Sequence, residues 1–284
     1  MSVPRYSFIM KNKLAGKRLA VLGAGKIGGI LLQAFLRQKL ISPKQVYAAV
    51  RHPEKAKALA ARLRIRVTTD NRAAVRAADI ILLCVKPQTV QEVLEQIRPE
   101  VTAKQLIISV AASVPTAYVE ERLAPGVPVV RAMPNTPCAV GAGMTGLAKG
   151  SHAGASHLDV AQTLFDAVGR TVVVDEKLMD AVTGLSASGP AFIYILLESL
   201  AEAGVKVGLP RDVATLLAAQ TMYGAARVVL ETGDHPALLK DAVTTPAGCT
   251  IDGILELEDG KVRVTLIKAV VKATQRAREL LFEN

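Results

Sequence analysis

Short, wholly apolar runs separated by amphipathic stretches of helical period occupy the first two thirds of this chain, and amphipathic stretches alone occupy the last third. The run Leu19-Ala20-Val21-Leu22 reads as a buried strand, and Ile27, Ile30, Leu31, Ala34 and Phe35 repeat at the spacing of one helix face over 27–38. The rhythm continues with strands at 45–50, 66–68, 80–85, 105–110 and 127–131, and with helices at 54–63, 72–77, 90–97 and 116–123. Strands at 143–149 and 171–174, with a helix 155–168 between them, complete the pattern of a doubly wound sheet. Ile80-Ile81-Leu82-Leu83-Cys84-Val85 has no polar position, as expected of a central parallel strand covered on both faces.

From residue 177 the period is helical throughout. A short helix covers 178–183. Ser186-Ala187-Ser188-Gly189-Pro190 opens a long helix that runs to Ala203 and is closed by Gly204; others span 211–231 and 261–281. With no sheet to cover, their apolar stripes are expected to close on a second copy of the chain. The predicted fold class is therefore α/β: an N-terminal Rossmann-type doubly wound sheet over 18–176, followed by an all-helical C-terminal dimerisation domain over 177–284, with residues 1–17 as a mobile tail.

The segment joining the first strand to its helix is Gly23-Ala24-Gly25-Lys26-Ile27-Gly28, a Gly-x-Gly-x-x-Gly turn in the context that holds a dinucleotide. Gly23 permits the tight turn, Gly25 lets a pyrophosphate approach, and Gly28 lets helix and strand pack closely, so the backbone of Lys26 and Ile27 faces the phosphates. The second strand ends in Arg51-His52 with no acidic residue to accept a ribose 2′-hydroxyl. Arg51 instead matches a 2′-phosphate, which favours NADPH and leaves NADH as the lesser alternative.

Composition narrows the remaining classes. The chain has 284 residues and a formal charge of +10, but its cations are spread along helix faces without interleaved aromatics, which argues against a nucleic-acid partner. Cys84, Cys138 and Cys249 are isolated, and the four histidines show no ligand spacing, so neither a disulfide framework nor a metal site is expected. A reducing cytoplasm fits. Residues 1–17 lack the apolar core of a secretory signal, and the most apolar later stretch, 191–200, is too short to cross a membrane and is interrupted by Glu198 and Glu202.

Ligands of an open parallel sheet lie beyond the carboxyl ends of its strands. Three loops there are small or rigid: Lys86-Pro87-Gln88, Ala111-Ala112-Ser113 and Met133-Pro134-Asn135-Thr136-Pro137. Stiffening prolines and a surface lysine would explain them equally well. A fourth loop, Asp241 through Thr250, carries three hydroxyls and an Ala-Gly pair ahead of a helix at about 251–257. Such a helix start seats a carboxylate without an arginine, and Thr250 alone would serve as its cap.

The stretch Leu239-Lys240-Asp241-Ala242-Val243-Thr244-Thr245-Pro246-Ala247-Gly248-Cys249-Thr250-Ile251-Asp252-Gly253 resembles the signature of the pyrroline-5-carboxylate reductases, the last enzymes of proline synthesis. Further landmarks follow the order of that family: the glycine turn, Val85-Lys86-Pro87, Met133 through Pro137, Ser188-Gly189-Pro190-Ala191-Phe192 and Gly204 through Arg211. The chain departs from it at Ala247 and Ser113, where the family commonly has glycine. The resemblance implies hydride transfer from NAD(P)H to a cyclic imine that arrives already protonated. It implies Thr250 as hydrogen-bond partner of the ring nitrogen and candidate proton donor, with backbone N–H groups of Thr245, Gly248 and Cys249 on the substrate carboxylate. It further implies that Asn71, Val85, Lys86, Pro87, Ala111, Ala112 and Asn135 border the cofactor. Two rivals are a hydroxyacid dehydrogenase of the 6-phosphogluconate dehydrogenase type, which needs a lysine on the long helix 191–203 where none stands, and a non-catalytic NADPH sensor.

Overall fold

A computed structural model describes residues 14–280, so most of the expected tail and Leu281 at the end of the last helix lie outside the described residues. The described chain forms two compact units, one of residues 14–188 with 272–280 and the other of residues 189–271.

The first unit is built on an eight-stranded sheet in the order β3-β2-β1-β4-β5-β6-β7-β8. Its strands are β1 (Leu19–Leu22), β2 (Val46–Ala49), β3 (Arg66–Thr68), β4 (Ile80–Leu83), β5 (Leu106–Ser109), β6 (Val129–Pro134), β7 (Gly143–Lys149) and β8 (Gly169–Val173). The first six are parallel; β7 runs against β6 and carries β8 parallel to itself. All eight predicted strands are present. Strand polarity was not foreseen at β7, because a reversed strand keeps the same alternation of side chains as a parallel one.

Every residue of β1 and β4 is buried, and alternate residues feed opposite faces. Leu19, Val21, Ile80 and Leu82 point to one core with Leu31 and Phe35 of α1 (Lys26–Arg37), Leu59 of α2 (Pro53–Leu63) and Phe165 of α6 (Ala155–Asp166). Phe35 and Phe165 meet edge to face with centroids 6.2 Å apart, which ties α1 to α6. Ala20, Leu22, Ile81 and Leu83 point to the other core with Val75 of α3 (Asn71–Arg76), Leu94 and Ile97 of α4 (Val90–Ile97) and Val119 of α5 (Thr116–Glu120). Two-sided burial explains why these strands carry no polar alternation.

The segment after β8 is more broken than predicted: a 3₁₀ turn Glu176–Leu178, α7 (Met179–Val182) and a π turn Thr183–Ala187. Gly184 allows this, since a Cβ there would stand 2.2 Å from the Thr274 hydroxyl oxygen.

The second unit holds α8 (Gly189–Lys206), α9 (Arg211–Thr232), α10 (Pro236–Ala242), α11 (Cys249–Asp259) and the first part of α12 (Val262–Glu279). Gly204 does not close α8. The helix passes through it, and a Cβ at Gly204 would come within 2.8 Å of the Ala214 Cβ, so the glycine lets α8 and α9 pack close together. Gly208, at φ +100°, makes the exit instead. Few side chains here are buried, and Leu216, Ile195 and Tyr194 are each more than 60% exposed. The stretches Glu176–Lys206 and Arg211–Thr232 are long and apolar enough to cross a membrane by length and composition, a property that the shorter run at 191–200 had hidden.

On the α3–α4 face, Glu100 accepts from Arg72 at 2.8 Å and from Arg76 at 2.9 Å. Hydrogen bonds from Arg76 first and then Arg72 hold its carboxyl well below the ordinary 4.5, at about 2. A depressed carboxylate stabilises the fold fully above its unfolded pKa, and that contribution disappears as pH falls through the folded one. Glu100→Gln is therefore expected to lower Tm at pH 6, with the gap to the parent protein closing between pH 4.5 and about 2. A gap that stays constant across that window in thermal melts would contradict the pairing.

Candidate functional site

The strand order turns at β1, with β2 on one side and β4 on the other, and the two chain directions of the sheet part there. This switch point opens a cleft of about 500 Å³ beyond the strand ends. Gly23, Ala24 and Gly25 form one wall, Val50, Arg51, His52 and Lys55 the second, Thr69 and Asn71 the third, and Cys84, Val85 and Lys86 the fourth.

The three glycines of the turn do different work. Gly23 has φ +81°, and a Cβ on it would lie 2.7 Å from Val85 Cγ1. A Cβ on Gly28 would lie 2.7 Å from the Gly23 carbonyl oxygen and 2.9 Å from Cys84 Cβ, so α1 starts hard against the end of β4. Gly25 has nothing nearer to its Cβ position than 3.9 Å. Open space at Gly25 is therefore available to a ligand. Gly25 also precedes α1 with no side-chain cap and no acidic residue in the first turn. The N–H groups of Lys26, Ile27 and Gly28 have no partner within the helix, and the positive end of its dipole is left uncompensated. A pyrophosphate fits these donors.

Arg51 and His52 close β2 and lead into α2, and both are exposed. Lys55, in the first turn of α2, joins them in the cleft and also borders a neighbouring depression with Lys26 and Arg62. Among the described residues no carboxylate pairs with Arg51, Lys55, Lys26 or Arg62. This cation cluster fits a phosphate monoester. Lys55 was missed in the sequence, because Arg51 precedes the extended cap His52 and no helical spacing links the two residues. On the opposite wall the Asn71 side-chain amide donates to Gln96 Oε1 at 2.8 Å, and Gln96 donates to Glu92 Oε1 at 3.1 Å. Thr89, Glu92, Val93 and Gln96 also line the cleft. The sequence reading gave none of these four a role beyond the predicted helix 90–97. Burial pushes the Cys84 thiol up, so it packs as a neutral group against α1.

Of the expected cofactor residues, the structure brings Gly23, Gly25, Arg51, Asn71, Val85 and Lys86 into this cleft, with Lys26 beside it. Ile27, Gly28 and Pro87 support the walls without lining them. Ala111, Ala112 and Asn135 stand further along the carboxyl edge, beyond β5 and β6. There Ala112 packs with Met133, Met179 and Ala187. The Asn135 side chain is engaged on both sides, accepting from the Met144 N–H at 2.9 Å and donating to the Ser186 carbonyl at 3.2 Å. It fastens the π turn to β7.

In the second unit, Thr245-Pro246-Ala247-Gly248 forms a turn in which the Gly248 N–H donates to the Thr245 carbonyl at 3.0 Å. Proline at its second position and φ +55° at Ala247 describe a turn that glycine enters more easily than alanine. Gly248 leaves no room for a side chain, since a Cβ would sit 2.4 Å from Thr245 Oγ1. Gly248, not Thr250, caps α11, which begins two residues earlier than predicted. Thr250 is the second residue of that helix, with an exposed hydroxyl free of any partner among the described residues. Because the Gly248 N–H closes the turn, the N–H groups of Thr245 and Cys249 are the expected carboxylate donors still unpaired. The long helix extends to Lys206, so a lysine does stand on it, but at its last residue.

The family model described as pyrroline-5-carboxylate reductase dimerisation matches residues 176–280, and that described as NADP oxidoreductase coenzyme F420-dependent matches residues 18–113. The chain is 45% identical to a pyrroline-5-carboxylate reductase of Methanosarcina acetivorans, over 94% of this chain and 99% of that protein. The solved pyrroline-5-carboxylate reductase of Coxiella burnetii superposes with a TM-score of 0.85 at 34% identity, covering 93% of this chain and 98% of that one. The Plasmodium falciparum pyrroline carboxylate reductase, solved with NADP bound, gives 0.85 at 27% identity, covering 94% and 98%.

The cation cluster yields a graded expectation. Arg51→Ala weakens NADPH binding about tenfold and NADH binding hardly at all, and adding Lys55→Ala removes the remaining preference. Fluorescence titration of both cofactors at one ionic strength checks this, and equal losses for both would remove the phosphate assignment.

Proposed function

The chain belongs to the pyrroline-5-carboxylate reductase family, and from that premise we propose how its residues carry out the reaction. The protein reduces 1-pyrroline-5-carboxylate to L-proline, the last step of proline biosynthesis, with NAD(P)H as reductant. The observation that carries this is the end-to-end match, since the chain spans 99% of the Methanosarcina reductase at 45% identity.

When bound, the dinucleotide supplies a hydride to the imine carbon. The residues of 18–176 hold it: Gly23 and Gly25 admit the pyrophosphate to the start of α1, Arg51 and Lys55 pair with the 2′-phosphate, and Asn71 borders the adenosine. The helices of the second unit hold the imine. The N–H groups of Thr245 and Cys249 at the start of α11 receive its carboxylate, supported by the helix dipole. The Thr250 hydroxyl hydrogen-bonds the ring nitrogen. A protonated imine needs no strong acid, and the nearest charged pair in this segment, Lys240 with Asp241 at 2.6 Å, is already satisfied internally. Catalysis then rests on orientation more than on proton transfer.

The match to a dimerisation domain supports a homo-oligomer. The exposed apolar faces of α8 and α9 are covered by a second copy in this reading, which also accounts for their membrane-like hydropathy without a membrane. The three unpaired thiols support a reducing, cytoplasmic setting.

Loss of NADPH absorbance on adding 1-pyrroline-5-carboxylate, with proline recovered as product, tests the assignment. No oxidation by protein that still binds NADPH would favour the hydroxyacid dehydrogenase or sensor alternatives. Thr250→Ala is expected to lower kcat about tenfold with NADPH affinity unchanged. Unaltered turnover would remove Thr250 from the reaction.

A further inference from the structure

Five described residues other than glycine have backbone in the left-handed region: Lys39, Arg64, Ser113, Ala247 and Lys261. Lys39, Arg64 and Lys261 follow the ends of α1, α2 and α11, where a left-handed residue is the ordinary helix exit. Ala247 is exposed and its methyl group holds nothing in place. Ser113 differs from all four. It has φ +67° in the turn after β5, it is only 6% exposed, and its hydroxyl donates to the main-chain carbonyl of Ala277.

That carbonyl belongs to the last turn of α12, among the four that no residue within the helix can satisfy. Ala277 is itself buried, so the bond is shielded from water. The bond joins positions 164 residues apart and ties the end of the chain to the carboxyl edge of the sheet. The turn it restrains is Ala111-Ala112-Ser113, whose Ala112 packs with Met133, Met179 and Ala187. A side chain in a conformation that glycine adopts more easily is kept there by a hydrogen bond that glycine could not make.

We propose that Ser113 is a positioning residue for hydride transfer: its hydroxyl, anchored on the Ala277 carbonyl, holds the Ala111-Ala112 backbone as a fixed surface for the nicotinamide half of the cofactor. This rests on the assignment of Ala111 and Ala112 as cofactor neighbours. The adenosine half lies at Arg51 and Asn71, at the far side of β1, and is independent of Ser113.

The test uses Ser113→Ala and Ser113→Gly in the full chain. Glycine occupies φ +67° without strain, so this variant is expected to fold with a Tm at or above that of the alanine variant. Both variants are expected to lose about tenfold in kcat through misplacement of the ring. Both should show a larger primary isotope effect with NADPH deuterated at the transferred position, and an altered fluorescence of bound NADPH. Both should bind the adenosine bisphosphate fragment, which lacks nicotinamide, as the parent does. Altered fluorescence with parental kcat and isotope effect in the glycine variant would overturn the proposal while leaving the turn beside the nicotinamide. Parental fluorescence, kcat and isotope effect in both folded variants would overturn the proposal and the cofactor assignment beneath it.

Discussion

The close approach of α1 to the end of β4 is the constraint on which the rest of this structure depends. Gly28 meets the Gly23 carbonyl and the Cys84 side chain at distances that leave no room for a methyl group. Only then does the first turn of α1 aim its free N–H groups across the gap where the strand order reverses. The neutral, buried Cys84 thiol completes the packing and contributes no charge beside the start of α1. The full burial of β1 and β4 follows from the same arrangement, since helices must cover both faces of strands whose ends carry the cleft.

From this point the sheet distributes the work by position. The end of β2 supplies unpaired cations, the start of α3 supplies an amide, and the ends of β5 and β6 supply a small, rigid edge. At that edge, the side chains of Asn135 and Ser113 are spent on main-chain atoms of distant segments. Rigidity there suits a reaction in which geometry does most of the catalysis. The helical unit follows a different rule. In the proposed reading its chemistry rests on one turn and the helix start behind it, and its large apolar side chains stand exposed on the single chain.

Much of this was legible in the sequence, and the reasons are physical. Strands buried on two faces announce themselves as unbroken apolar runs, which is why β1 matches the pattern to the residue and β4 falls within the predicted 80–85. The glycine turn and Arg51 were legible because their chemistry is local. Features that depend on a partner distant in the chain were not. Gly204 looked like a helix end because its packing against Ala214 cannot be read from its neighbours. Thr250 looked like a cap because the turn closed by Gly248 sets the helix start two residues earlier. Asn135 looked free to meet a ligand because its two partners, Met144 and Ser186, lie across the sheet and in the π turn.

The most direct test of the central claim, that a dinucleotide held at the glycine turn reduces a cyclic imine, is to follow the transferred atom. NADPH deuterated at its transferable position is incubated with the protein and 1-pyrroline-5-carboxylate, and the proline formed is examined by mass spectrometry and NMR. The account predicts a single deuterium on the former imine carbon of L-proline. Proline without deuterium, or label released to solvent, would contradict direct transfer between the two ligands.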